Sequence, residues 1–181
     1  MGHRLSKITT RTGDAGQTGL ATGERIHKTH PRVVAMGEID ELNAVIGVWR
    51  GHVIDPRIQS LLEVVSQDLF NLGGELAMPG EELLPLTALE KLDAAIAEWN
   101  ATLPPLKEFI LPGGPPPVAW AHMARTVCRR AERSLWQLDH TEVLRSTPAQ
   151  YLNRLSDLCF VLGRVLAAAS GATETPWEHP A

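Results

Sequence analysis

The sequence predicts an all-α fold: five helices in a bundle, preceded by a glycine-rich arm. Three observations predict it. Apolar residues recur three and four positions apart through most of residues 31–171, the spacing of a helix that buries one face. Prolines stand where such segments begin or end, which suits a residue tolerated in the first helical turn and excluded from the interior. No alternating strand pattern competes anywhere along the chain. At 181 residues the chain fits a single domain (1–181) with a core large enough to need no disulfide or metal staple.

Residues 1–30 have no sustained helical period. They contain Thr9-Thr10-Arg11-Thr12-Gly13-Asp14-Ala15-Gly16-Gln17-Thr18-Gly19-Leu20, where glycine every third residue lets main-chain N–H groups turn to one side and hydroxyls add donors. Such a nest suits phosphate oxygens, and a flexible surface arm has the same composition. It is neither a Walker loop nor a dinucleotide fingerprint. Pro31 opens the first helix, which runs to about His52. Asp40, Asn43, Ala44 and Gly47 share one of its faces, while Leu42, Val45, Ile46 and Trp49 supply apolar bulk. An acid in that setting is either solvated or the partner of a cation on another element.

Pro56 opens the second helix, with a seam of Ile58, Leu62, Val65, Leu69, Leu72 and Leu76. The third carries Leu89, Leu92, Ile96, Trp99 and Leu103 and closes at Pro104-Pro105. Phe109-Ile110-Leu111-Pro112-Gly113-Gly114-Pro115-Pro116-Pro117 is a stiff connector with an unusually apolar start. The fifth helix begins at Ser146-Thr147-Pro148 and has Leu152, Leu155, Cys159, Leu162, Leu166 and Ala169 as its seam; Asn153, Asp157, Phe160 and Arg164 take another face. Beyond Gly171 the chain is expected to fray.

The fourth helix, beginning near Pro117, holds the densest chemistry. Arg125-Thr126-Val127-Cys128-Arg129-Arg130-Ala131-Glu132-Arg133 packs four guanidinium groups into nine residues of a chain whose net charge is −4, from 17 Lys plus Arg against 21 Asp plus Glu. Arg125, Arg129, Glu132 and Trp136 fall on one face; Ala121, Ala124, Cys128, Ala131, Leu135 and Leu138 form a separate stripe. Fixed planar forks suit phosphate or carboxylate. A solvated face of i,i+4 Glu–Arg pairs is the plainer alternative.

The mildly acidic balance argues against a general nucleic-acid binder while leaving room for a local anion pocket. No apolar run reaches the ~18 residues a bilayer span requires, and the amino-terminal residues lack the apolar core of a signal peptide, so a cytoplasmic protein is expected. The two cysteines, Cys128 and Cys159, read as small buried hydrophobes. The seven histidines (His3, His27, His30, His52, His122, His140 and His179) show no ligand clustering; His122, one turn before Arg125, is expected to hydrogen-bond and orient it.

Four separated motifs resemble those of the PduO-type ATP:cob(I)alamin adenosyltransferases, in that family's order and across nearly the whole chain. They are Thr-Arg-Thr-Gly-Asp-Ala-Gly-Gln-Thr (10–18), Gly-Glu-Ile-Asp-Glu-Leu-Asn-Ala (37–44), Phe-Ile-Leu-Pro-Gly-Gly (109–114) with Ala-Arg-Thr-Val-Cys-Arg-Arg-Ala-Glu-Arg (124–133), and Tyr-Leu-Asn-Arg-Leu-Ser-Asp (151–157). The resemblance implies transfer of the 5′-deoxyadenosyl group of ATP to the cobalt of cob(I)alamin, with release of triphosphate, in a homotrimer whose sites lie between subunits. It implies that Thr10, Arg11, Thr12, Gly13, Asp14, Gly16 and Thr18 wrap the triphosphate with Mg²⁺ and that Lys28 adds charge. Arg129, Glu132 and Asn153 would line the nucleotide site, and Asp40 and Arg125 would form a salt bridge across the subunit boundary. Phe109 would fill the space beneath the corrin ring. Ala15 departs from the charged or polar residue of many relatives. The family's chemistry also calls for a cob(II)alamin reductase as electron donor. In this scheme residues 1–30 are the ATP-binding arm, 31–171 the bundle and 172–181 a tail.

Other classes stay open on the residues alone. A non-catalytic bundle that binds nucleotide or corrinoid would keep the same contact residues. A di-iron bundle needs two inward Glu-x-x-His pairs, and Glu24 with His27, in the arm, has no mate. A purely structural helical adaptor explains the seams but not the arginine row, the arm and the Phe109 connector together.

Overall fold

Proline sits in the first turn of four of the five helices in the computed structural model, which describes residues 9–178. The helices are α1 (Pro31–His52), α2 (Pro56–Ala77), α3 (Leu86–Asn100), α4 (Pro116–Asp139) and α5 (Thr147–Ala169). Two caps come from side chains: His30 Nδ1 accepts from the Arg32 N–H and Asp55 from the Arg57 N–H, each meeting an amide that has no partner within the helix.

The packing order is α2–α1–α4–α5–α3, with α4 in the middle against both α1 and α5. Its stripe is fully inside: Ala121, Ala124, Cys128, Ala131, Leu135 and Leu138 are all buried. Small residues let α5 come close. A Cβ added at Gly163 would stand 3.2 Å from the Ala121 Cβ, so a side chain here would press α4 and α5 apart by a few tenths of an ångström. The α2 seam is likewise buried at every expected position, each leucine contributing roughly 1.5–3 kcal/mol. Tyr151, wholly buried on α5, donates its hydroxyl to Asp68 of α2, and Arg57 of α2 lies over the Trp99 ring of α3 at 4.5 Å. Cys128 and Cys159 are buried and unbonded to each other, and burial pushes both thiols up, Cys159 to about 12.

Four expectations need correction. The arm contains a two-stranded hairpin, β1 (Gln17–Gly19) with β2 (Arg25–His27), antiparallel with Thr18 opposite Ile26. α3 ends at Asn100, because the chain turns through Ala101 and Thr102 before Leu103 reaches the prolines. Ala169 is exposed at the end of α5, one turn beyond the last buried seam residue. Past Gly171 the chain does not fray: Leu111 N–H donates to Thr175 O at 2.8 Å, and Trp177 N–H to Phe109 O at 2.7 Å. The expectations on residues 1–8 and 179–181, including His3 and His179, lie outside the described residues. None of the helices described is long and apolar enough to cross a membrane.

One end of the bundle is tied by two arginine systems. Arg32, 5% exposed, pairs with Glu142 of the α4–α5 connection and donates to Leu76 O at 2.7 Å. Arg145 pairs with Glu75 and donates to Leu84 O, while Glu75 also accepts the Leu83 and Leu84 N–H groups at 3.1 Å each. Burial alone raises the Glu75 pKa, but the Arg145 guanidinium and the two amides outweigh it and hold the carboxyl below its ordinary 4.5. A depressed carboxylate contributes stability above its unfolded pKa and loses that contribution as pH falls through the lower folded value. Acid unfolding followed by circular dichroism should therefore show the wild type losing stability below about pH 4.5 more steeply than Glu75→Gln, which starts less stable at neutral pH.

Candidate functional site

The arm is built of successive tight turns. Arg11 takes a left-handed conformation (φ 59°), Asp14 N–H donates to Arg11 O and Gly16 N–H to Gly13 O. Gly16 itself has φ 82°, which favours a residue without Cβ, and its carbonyl accepts the Lys28 N–H at 2.9 Å. Thr10 and Thr12 share a hydroxyl hydrogen bond of 3.0 Å. A Cβ at Gly13 would stand 3.1 Å from Lys28 Nζ, so the ammonium lies directly against the turn. Thr10, Arg11, Thr12, Gly13, Asp14, Gly16, Thr18 and Lys28 thus fall in the turns and the hairpin of one arm, most of them exposed.

Arg25 is the residue that sequence reasoning missed here. Its Nη2 donates to Thr12 O at 2.7 Å and to Gln17 O at 3.3 Å, closing the loop from inside the hairpin. The one available signal was its place opposite Gly19 in a pairing too short to read from alternation. The arm is anchored by Leu20, 7% exposed, and by the Ala21 N–H to Ala77 O at the end of α2.

A second group lies on α4 and α5. Asn153 Nδ2 donates to Glu132 Oε1 at 3.3 Å, and Arg154 Nη1 donates to Asn153 Oδ1 at 3.1 Å while its Nε engages Asp93. The four arginines of the row differ sharply. Arg130 pairs with both Glu38 and Glu41 of α1, a local use of charge that holds two helices together. Arg133 donates to Arg129 O. Among the described residues Arg125, half-buried, and Arg129, exposed, have no carboxylate within ion-pair distance, and Arg125 Nε is buried without a partner. His122 does not orient Arg125 by a hydrogen bond as expected: its Nδ1 also lacks a partner, and its ring meets the Phe160 ring edge-on at 6.3 Å. Burial, and after it the Arg125 charge, lowers the His122 pKa.

Asp40 is exposed on the outer face of α1 and makes no ion pair with Arg125 within the chain. It borders a groove of about 470 Å³ between α1 and α2, lined by Val33, Met36, Asn43, Leu69 and Phe70. Phe70 is 70% exposed there and Asn43 Nδ2 is tied to Ser66 O. Phe109 projects from the connector, 75% exposed, with the Trp177 ring 6.4 Å away and tilted.

The structure therefore assembles the expected residues in separate places. The arm, the Glu132–Asn153 pair beside Arg129, the Asp40 groove and Phe109 are distinct sites on one chain, and no hydrogen bond or ion pair among the described residues links the 9–28 arm to α4 or α5. Arg129 is ten residues before the end of α4, roughly 15 Å along the axis at 1.5 Å per residue.

The family described as cobalamin adenosyltransferase matches residues 8–166 of this sequence. The chain belongs to that family. The cobalamin adenosyltransferase of Cupriavidus metallidurans is 53% identical over 180 residues, spanning 99% of this chain and 98% of its own length. The corrinoid adenosyltransferase of Mycobacterium tuberculosis is 44% identical over 176 residues, 91% of each. Among solved structures, a variant of the PduO-type ATP:corrinoid adenosyltransferase from Lactobacillus reuteri, complexed with cobalamin and ATP, superposes with a TM-score of 0.90 at 31% identity, covering 96% of this chain and 100% of that one. This adenosyltransferase fold is thus shared over nearly the full length.

Loss of the Arg25 clamp should loosen the arm without touching the bundle. Arg25→Ala is expected to speed hydrogen exchange at the Lys28 amide by about tenfold, the factor that goes with one or two lost hydrogen bonds. The thermal midpoint of the helices should stay unchanged. Unaltered exchange at Lys28 contradicts the clamp.

Proposed function

We propose that this chain transfers the 5′-deoxyadenosyl group of ATP to the cobalt of cob(I)alamin, giving adenosylcobalamin and triphosphate. The observation that carries this reading is the pair of guanidinium groups, Arg125 and Arg129, that stand without a carboxylate beside the Glu132–Asn153 pair while their neighbour Arg130 is fully paired. Uncompensated fixed forks in a chain of net charge −4 fit an anionic substrate.

The cobalt(I) electron pair attacks the ribose C5′, the C5′–O bond breaks, and triphosphate leaves with the bonding electrons. Reduced cobalt is itself a strong nucleophile, so no serine, cysteine or histidine has to generate one. The chain's task is to hold the two substrates in line and to meet the growing charge on the leaving group. Thr10, Arg11, Thr12, Gly13, Asp14, Gly16, Thr18 and Lys28 wrap the triphosphate; Arg129 meets it from α4, with Glu132 and Asn153 lining the nucleotide. Mg²⁺ arrives on the phosphates. Such an ion keeps phosphate and water oxygens and takes one or two from protein. Asp14 and the Thr10 or Thr12 hydroxyl are donors of that kind.

The site lies between copies. Separation of the arm from α4 and α5 within one chain supports this, since a triphosphate held by both then requires a neighbour. The apolar groove around Asp40, with Phe70 standing exposed in it, offers the surface against which that neighbour packs. There Asp40 meets Arg125 of the adjoining copy, supplying the partner that Arg125 lacks in its own chain, and the pair contributes to corrinoid handling. A homotrimer closes these contacts by rotation. Phe109 lies under the corrin and keeps the lower axial base and water from cobalt. A bound base donates into the orbital that must accept an electron, so its exclusion eases reduction of cob(II)alamin by a reductase partner. Residues 1–181 work as one domain, 1–30 as the ATP strap, 31–171 as the bundle and 172–181 as its tail. The reaction belongs in the cytoplasm, a reading supported by two unpaired cysteines.

The deciding assay mixes the protein with chemically reduced cob(I)alamin, ATP and Mg²⁺ without oxygen and follows the spectrum of the cobalt–carbon product. Turnover with release of triphosphate is expected; binding of both substrates with no turnover points instead to a carrier or sensor. In the same assay Arg129→Ala should lower kcat by roughly 10²–10³, as removal of one preorganised donor to a developing charge does elsewhere. Phe109→Ala should slow the reaction that starts from cob(II)alamin and a one-electron reductant, and leave the reaction of prereduced cobalt(I) close to wild type.

A further inference from the structure

The Phe109 ring is met by the Trp177 ring at 6.4 Å. It is 75% exposed, and beneath its segment lies a cavity of about 330 Å³ bordered by Leu111, Val118, His122, Gly163, Ala167 and Thr173. Main-chain pairing also holds the segment. The 109–111 stretch pairs antiparallel with 175–177: Leu111 N–H donates to Thr175 O, Trp177 N–H to Phe109 O, and Ile110 stands opposite Pro176.

A buried arginine fastens the pairing segment to the bundle, beside the Ala172 N–H bond to Ala167 O of α5. Arg164, on α5 and 5% exposed, directs its Nε to Glu174 Oε1 at 2.9 Å and its Nη2 to Glu174 Oε2 at 3.4 Å. The same Nη2 donates to Pro104 O at 3.0 Å, in the connector that leads to Phe109. One guanidinium thus joins α5, the connector and the tail. A buried charge needs its partner, so this contact is strongly held while intact and costly to half-remove.

We propose that Arg164 and Glu174 are positioning residues for Phe109: their ion pair clamps the 172–177 segment onto 109–111 and thereby sets the height of the aromatic ring. The inference rests on Phe109 acting as the group that keeps the axial base from cobalt. Neither Arg164 nor Glu174 touches the reacting atoms; they act through the main chain of Phe109.

The test uses the full-length protein with Glu174→Gln, which keeps the shape and removes the charge. Hydrogen exchange at the Leu111 and Trp177 amides should rise by about tenfold or more, the factor expected when a charged hydrogen bond is lost. Adenosylation from cob(II)alamin with a one-electron reductant should fall by about tenfold, whereas the rate from prereduced cob(I)alamin and the KM for ATP should stay within about twofold. Glu174→Asp, which retains the charge, should restore most of the cob(II)alamin rate, and it carries the test if Glu174→Gln does not fold. Faster exchange with an unchanged cob(II)alamin rate overturns the proposal, and so does an equal loss from both cobalt states. Phe109→Ala is run beside it. If Phe109→Ala shows the split between cobalt states and the Glu174 variants do not, only the clamp is wrong; if Phe109→Ala slows both states alike, the reading of Phe109 itself has failed.

Discussion

The close approach of α4 to its neighbours is the constraint on which this molecule depends. Alanine, cysteine and leucine line the buried face of α4, and Gly163 of α5 packs tightly against Ala121. Helices packed that tightly cannot slide or rotate without clashes, because interiors at crystal-like density deform in jumps rather than continuously. The face beside that stripe is therefore held in fixed register, and Arg125, Arg129 and Glu132 stand on it at set heights. A guanidinium on a loosely packed helix would have to be ordered when its anion arrives; here much of that ordering is already done by folding.

Charge is divided by task along the same helix. Arg130 is used for structure, bridging to α1, and so are Arg32 and Arg145 at the end of the bundle, where each meets a carboxylate and a main-chain carbonyl. These sites satisfy both the charge and the planar donors, as burial requires. Arg125 departs from that rule, its Nε buried without a partner, while Arg129 and Lys28 stand exposed with no carboxylate in ion-pair distance among the described residues. Cations without a carboxylate in several places, which one polyanion could relieve, are a stronger indication of function than any one of them alone.

The helical seams were legible because burial on one face imposes a period the residues must follow: every expected stripe position on α2 and α4 is buried. The hairpin of the arm was not. Gln17-Thr18-Gly19 and Arg25-Ile26-His27 are three residues each, mostly polar, and carry no alternation to read. The pairing of 109–111 with 175–177 was hidden for a different reason, since main-chain hydrogen bonds between segments distant in sequence leave no side-chain signature. Within the candidate site, residue types and motifs were readable, but His122 was misjudged: helical spacing put it near Arg125, while its ring turned to Phe160. That the arm makes no hydrogen bond or ion pair with α4 among the described residues is a tertiary feature, and no local pattern encodes it.

The burial of Cys128 and Cys159 has a bearing on a metal substrate in a low oxidation state. Sulfur is a soft donor, and an accessible thiolate would compete for a soft metal centre. Both thiols of this chain sit wholly inside the bundle and are held protonated far above neutral pH. Neither can sequester such a substrate or trap it as a dead-end sulfur adduct, and the reduced centre's reactivity is kept for carbon.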